Sequence, residues 1–257
     1  MADTRSRASG VRQNTACLIC IFLRSLSVQA SWNFSRMQNI GIIFSLIPFI
    51  KKSGGSREYR AGFLTRHLES FNTHPYLTGP IVGSVAKLEE GCGENDICIE
   101  AVKLKNAVMA PYAAIGDPFF GGSLRPLAAA IGVLVAMGEV IVAPLVFLIV
   151  YNVPHMWVRV KGFIEGYNDG RGAVSFLKAL DLPNISKRIR WVSVVVLGVL
   201  VGGILSSQQG AYIGLGDIYA GLLMLVGIFI CFFLISKGIS PVVILYGVST
   251  IFLVVTW

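Results

Sequence analysis

Two stretches of this 257-residue chain set hydrogen-bonding side chains into apolar surroundings. The first holds Arg66, His67, Glu69, Asn72, Thr73 and His74 and ends at Pro80; the second runs from Ala110 through Asp117 to Pro126. Carboxylates, an amide, a hydroxyl and an imidazole together offer the donors and acceptors that a polyhydroxylated solute requires. Pro75, Pro80, Pro111, Pro118 and Pro126, with Gly79, Gly116, Gly121 and Gly122, break helices in both stretches. Irregular backbone at membrane depth is tolerated where it lines a protein-enclosed, watered cavity. A plainer use exists for the same residues, because Asn72-Thr73 and Asp117-Pro118 are good helix-start signals. A helix end is also a binding surface, so the two uses are compatible.

Other chemistries fit less well. His67, Glu69 and His74 could be drawn as metal ligands, but on a helix residues two apart point away from each other. No metal and no cofactor are expected. Cys17 and Cys20 have CxxC spacing inside an apolar run and lack a second pair, so they read as core or lipid-facing thiols. Cys92 and Cys98 flank an acidic Glu94-Asn-Asp96 turn, and a disulfide between them requires an oxidising compartment. No phosphate-binding glycine loop, dinucleotide fingerprint or nucleophile elbow is present.

The elements that carry these residues are membrane elements. Hydrophobic residues make up 54% of the chain and charged ones 14%, against roughly 25% charged in soluble domains. Three uncharged runs, 191–216, 218–236 and 238–257, each reach the ~20 residues a bilayer crossing needs. A membrane barrel would alternate in polarity, and this chain does not. The expected fold is therefore all-α and polytopic, with interfacial or re-entrant N-terminal helices, broken helices in the middle and three C-terminal spans.

Charge sets the orientation. Residues 1–66 hold ten Lys/Arg against Asp3 and Glu58, which accounts for the net +8, and the remainder is neutral. Residues 159–190 carry seven Lys/Arg against Glu165, Asp169 and Asp181. Both segments belong on the cytoplasmic side. Lys237 then falls inside, while the 208–217 connection and Trp257 fall outside. The basic arm lacks the aromatic interleaving of a nucleic-acid surface, so anionic lipid is its expected partner. Residues 1–15 read as a solvated leader rather than a cleaved signal.

Three regions follow: 1–23, the leader and a short apolar segment; 24–125, interfacial or re-entrant with the polar motifs; and 126–257, the transmembrane helices with a cytoplasmic basic segment at 155–190. Residues 16–23 and 40–50 are apolar but too short to span. Residues 126–154 read either as one long span with an intramembrane carboxylate or, as Gly138-Glu139 and Pro144 favour, as two helical pieces meeting at a turn, with Glu139 near water.

The motifs Ser31-Trp-Asn-Phe-Ser-Arg-Met-Gln38, Arg66-His-Leu-Glu69, Phe71-Asn-Thr-His-Pro-Tyr76, Gly116-Asp-Pro118 and Leu124-Arg-Pro126 resemble the IID membrane component of the mannose–fructose–sorbose phosphotransferase system. Tyr151-Asn-Val-Pro-His155, Arg159 and Gly166-Tyr167 continue the resemblance in the same order. It implies a subunit that pairs with a IIC subunit, in an oligomer of such pairs, to bind and translocate a hexose or related sugar. It also implies IIA and IIB partners that carry phosphate from phosphoenolpyruvate, so His67, His74 and His155 are not expected to be phosphorylated. The expected sugar contacts are Glu69, Asn72, Thr73, His74 and Asp117, with Trp32 and Asn33 as weaker ones. The chain departs from the family pattern at Ser35, Ser70 and Gly121, which keeps open a regulatory or assembly subunit without transport. Membrane class alone leaves an unrelated channel or scaffold.

Overall fold

The computed structural model describes residues 15–92 and 98–207, and beyond these 226–227, 230–231, 233–234 and 237–256. The leader, the Glu94-Asn-Asp96 turn and most of the 218–236 run lie outside the described residues. Among those described, every regular element is helical, apart from isolated bridges joining Asn33 to Met37 and Met37 to Phe71.

The chain forms two compact units, Met1–Leu200 and Val201–Trp257. The first contains α1 (Thr15–Ser25), a 3-10 turn (Val28–Ser31), α2 (Asn39–Ser53), α3 (Arg57–His67), a second 3-10 turn (Pro75–Leu77) and α4 (Thr78–Gly91). It continues with α5 (Ile99–Gly116), a π-helical stretch (Asp117–Leu124), α6 (Arg125–Ala136), α7 (Ala143–Asp169), α8 (Gly172–Leu180) and the start of α9 (Leu182–Ser207). The second holds the end of α9 and α10 (Pro241–Thr256).

At its N-terminal end, α1 packs on α2 through Ile21, Ile42 and Leu46, all fully buried. Pro48 inside α2 has no N–H to offer the Phe44 carbonyl. Arg24 of α1 donates to that carbonyl at 3.4 Å and lies over the Phe44 ring. A local defect in one helix thereby becomes a tie to its neighbour.

The centre of the unit is the pairing of α4 with α7. A Cβ on Gly79 would come to 2.6 Å from the Arg159 carbonyl, and one on Gly83 or Gly166 would collide with the backbone of the opposite helix. These glycines stand four apart on each helix, Gly79 with Gly83 and Gly162 with Gly166, so the two backbones touch. Helices in lipid gain little from hiding apolar surface from one another and associate through such close contact. Successive contacts, Gly79 at Arg159, Ser84 at Gly166 and Leu88 at Gly170, show that the helices run in the same direction. Ser84 also accepts from the Ala173 N–H at 3.0 Å, and Tyr112 donates to the Ala173 carbonyl, which brings α8 and α5 onto the same centre.

The structure differs from expectation in one place. The 110–126 stretch, expected to be broken, is helical throughout, so Ile99–Ala136 is continuous and long and apolar enough to cross a membrane, as is Ala143–Asp169. Pro118 and Pro126 each remove one backbone bond, and Gly121 and Gly122 bring no bulk, so the helix widens between them instead of ending. Ser123 donates to the Pro118 carbonyl at 3.1 Å, a span of five residues that suits this wider turn. The basic 155–190 segment is built of helices. It is the end of α7, α8 and the start of α9, separated only where Gly170 and Asp181 take positive φ. Within 126–154 the expected turn is present, with Gly138 and Glu139 exposed between α6 and α7.

Replacing Gly83 with Leu should force α4 away from α7 and lower stability by about 1–3 kcal/mol. Gly121→Ala, which meets open space, should leave stability unchanged or raised. Thermal unfolding of the detergent-purified protein compares the two.

Candidate functional site

The two polar stretches meet where the loop after α3 faces the π-helical stretch. Gly116 lies against His74, so that a Cβ there would overlap the imidazole. His74 Nδ1 accepts from the Tyr76 N–H at 3.3 Å, which leaves Nε2 to carry the ring hydrogen. Nε2 points to Asp117 Oδ1 at 3.9 Å, too far for a direct hydrogen bond and near enough for a hydroxyl or a water to bridge. Burial, with the Arg159 and Arg125 guanidiniums nearby, pushes His74 down to about 4, so at neutral pH it is an uncharged donor. Asp117 is 71% exposed at its side chain and remains open to a ligand.

An aromatic floor lies beneath this pair. His74 stacks on Phe120 at 4.8 Å, Phe120 meets Tyr76 edge-on at 5.1 Å, and Tyr76 stacks on His155 at 4.1 Å. Tyr151 donates to the Tyr76 hydroxyl at 3.2 Å and accepts from Arg125 at 3.4 Å, while Arg159 lies over the Tyr76 ring. Of the six buried polar atoms with no hydrogen-bond partner among the described residues, four are Thr73 Oγ1, Thr78 Oγ1, His155 Nδ1 and Arg159 Nε. An unmet buried donor or acceptor costs about 1–3 kcal/mol, so water or a solute is called for here.

The loop is held from both sides. On one side the turn at Trp32–Gln38 clasps it. Asn33 Nδ2 donates to the Met37 carbonyl and to Asn39 Oδ1, and Asn33 Oδ1 accepts from the Arg36 N–H. Gln38, buried, donates to the Thr73 carbonyl at 2.9 Å and accepts from the Thr73 N–H at 3.0 Å, and Asn39 donates to the Leu68 carbonyl. On the other side, Glu89 of α4 is fully buried and receives Arg66 in a fork at 3.0 and 2.5 Å. His67 Nε2 lies 2.8 Å from the same carboxylate. Burial by itself would raise Glu89, but the His67 and Arg66 hydrogen bonds outweigh it and hold the carboxyl below its usual range. Burial lowers His67 despite Glu89, so a neutral ring donates from Nε2. Its Nδ1 then has no partner among the described residues.

Of the residues expected from sequence, His74, Asp117 and Thr73 gather at one place. Asn72 is exposed beside them in the same loop, and Glu69 is exposed at the start of that loop. Trp32 is half-exposed against Phe34, and the polar atoms of Asn33 are engaged in its own turn. Sequence reasoning missed Gln38, whose partner is 35 residues away. It also passed over Tyr151, His155 and Arg159, although their spacing of four places all three on one helix face.

Residues 14–257 match the model of the PTS system mannose/fructose/sorbose family IID component. The chain is 31% identical to the mannose-specific EIID component of Escherichia coli K12, over 96% of this chain and 94% of that one. It is 32% identical to the fructose permease IID component of Bacillus subtilis, over 93% and 94%. A solved chain from a complex of the mannose transporter ManYZ with microcin E492 superposes with a TM-score of 0.58 at 28% identity, covering 95% of this chain and 96% of that one. Another, described only as a membrane protein, superposes with a TM-score of 0.74 at 29% identity, over 94% and 96%.

Glu89→Ala, which leaves the mostly covered Arg66 without its partner and His67 Nε2 without its acceptor, should destabilise by about 3–5 kcal/mol. Acid should act in the same direction. Folded stability falls first below about pH 6.5, where the unfolded chain protonates His67, and further below about pH 4.3, where it protonates Glu89. Tm measured from pH 8 to pH 4 should fall along this course.

Proposed function

We propose, for a chain that belongs to the mannose/fructose/sorbose family of phosphotransferase-system IID components, that it forms with a IIC subunit the sugar-binding and translocating unit of a mannose-type transporter. IIA and IIB partners pass phosphate from phosphoenolpyruvate to the incoming sugar, and several IIC–IID pairs assemble together. The chain crosses the inner membrane more than once, with the N-terminus and the 159–190 segment inside and the C-terminus outside. Helices within 191–216, 218–236 and 238–257 are its last three spans, and the basic arm lies against anionic lipid.

The observation that carries this reading is the gap between His74 Nε2 and Asp117 Oδ1, 3.9 Å wide, over an aromatic floor. A neutral donor facing a carboxylate suits vicinal hydroxyls, and aromatic rings suit the C–H face of a pyranose. Depth agrees. Tyr151 and His155 lie about 12 and 18 Å along α7 from Ala143 at 1.5 Å per residue, near the middle of a hydrocarbon core of about 30 Å. Sugar contacts are assigned to His74, Asp117, Asn72, Thr73 and Glu69, with Trp32 at the rim and Asn33 clasping the turn behind them.

Movement of one helical body against the other then opens the site inward, and phosphorylation on the cytoplasmic side prevents return. His67 is sealed inside the protein and unavailable to a phosphoryl donor. His74 and His155 serve as hydrogen-bonding rings.

Asn72→Ala together with Asp117→Ala should lower phosphoenolpyruvate-dependent sugar uptake at least tenfold, with unchanged amounts of folded protein. The measurement is sugar-phosphate accumulation in membrane vesicles that also contain the IIC, IIA and IIB partners. Normal uptake by the double variant would remove the site assignment.

A further inference from the structure

Cys92 and Cys98, at the facing ends of α4 and α5, are joined as a disulfide with their Cα atoms 5.8 Å apart. Because α4 and α7 run in the same direction, this end of α4 lies beside the end of α7. Leu88 packs on Gly170, Tyr167 donates to Glu90 at 2.9 Å, and Lys87 lies over the Tyr167 ring. Arg171, just past α7, pairs with Glu100 in the first turn of α5. The cysteine pair therefore shares a face with the basic 159–190 segment, and by the positive-inside rule that face is cytoplasmic. Stable structural disulfides belong to oxidising compartments, whereas cytoplasmic pairs are transient or redox-sensing.

We propose that Cys92 and Cys98 are a reversible oxidation site on the cytoplasmic face, a dithiol at rest that peroxide converts to the disulfide. Two thiols and one hydrogen peroxide give one S–S bond and two waters; the O–O bond breaks and both thiol protons leave in the water. Exchange with a small cytoplasmic dithiol reverses the step. Closure staples the α4–α5 hairpin immediately after Glu89 and Glu90, whose carboxylates hold Arg66, His67 and Tyr167. The staple thus acts on the element that supports the loop of the candidate site. Cys92 is half-exposed and open to attack, while Cys98 is buried behind it as the resolving thiol.

This inference rests on the orientation given under the proposed function, and the experiment separates the two. Cells expressing the full chain with its partners are treated or not with hydrogen peroxide, quenched in acid, denatured and alkylated with N-ethylmaleimide, and the peptide carrying both cysteines is weighed. The expected result is two alkylations in untreated cells, none after peroxide, and two again after washing and recovery. Cys92→Ser should keep Cys98 alkylated under peroxide. A parallel Glu139→Cys variant reports sidedness by reaction with a membrane-impermeant maleimide in intact cells. If the pair stays reduced under peroxide, the inference fails. A pair found oxidised at rest, while the Glu139→Cys thiol reacts with the impermeant reagent, also overturns it and leaves the orientation standing. An oxidised pair with a protected Glu139→Cys thiol overturns the orientation, and the inference with it.

Discussion

Everything in the first unit is arranged around the contact between the backbones of α4 and α7. Two helices in lipid have no water to escape, so their attraction must come from close approach and from hydrogen bonds that only close approach permits. Gly79, Gly83, Gly162 and Gly166 remove the side chains that would hold the helices apart, and Ser84 reaches the Gly166 carbonyl as a result. This contact sets the height of Tyr76, at the entry to α4, against Tyr151, His155 and Arg159 of α7. A shift of one helical turn would separate Tyr76 from His155 and remove the floor on which His74 rests. The site is a consequence of glycine spacing some distance from it.

Around that centre the protein holds one side of the site firmly and leaves the other open. The loop bearing Asn72, Thr73 and His74 is held by Gln38 and Asn39 from in front and by the Arg66–Glu89–His67 cluster from behind. Removing one member of such a buried cluster leaves charge without compensation, which is why the cluster acts as a unit. Asp117, by contrast, begins a π-helical stretch, the less common geometry that recurs at functional positions. In this subunit of a mannose-family phosphotransferase sugar transporter, the candidate site thus pairs a firmly held loop with an exposed carboxylate on a π-helical stretch.

Much of this was legible in the residues. Scarcity of charge announced lipid, the Gly138-Glu139 and Pro144 punctuation marked the turn between α6 and α7, and costly polar groups pointed to His74 and Asp117, which do face each other. What misled was local propensity. Pro118 and Pro126 with two glycines between them read as a break, because propensity counts lost hydrogen bonds and cannot see that a wider helix carries on past them. The charges of the basic segment indicate a side of the membrane and say nothing of the burial of Ala173 and Phe176 by α8. Gln38 could not have been found, since its amide serves a loop far along the chain. The Tyr151, His155 and Arg159 spacing could have been, as could the glycines four apart on two helices, although such glycines declare a contact only when both helices are considered together.

The same glycine contact governs how the protein is made. Ser84 and Gly166 are 82 residues apart, and translation at about 5–20 residues per second separates their appearance by roughly 4–16 s. For most of that interval α4, fourteen residues long, has its upstream neighbours and α5 to hold it, and its bare backbone face lacks the helix it was shaped to meet. A chain arrested or truncated before α7 would therefore carry an unmatched, adhesive surface at the membrane, which makes completion of α7 the commitment step in its biogenesis.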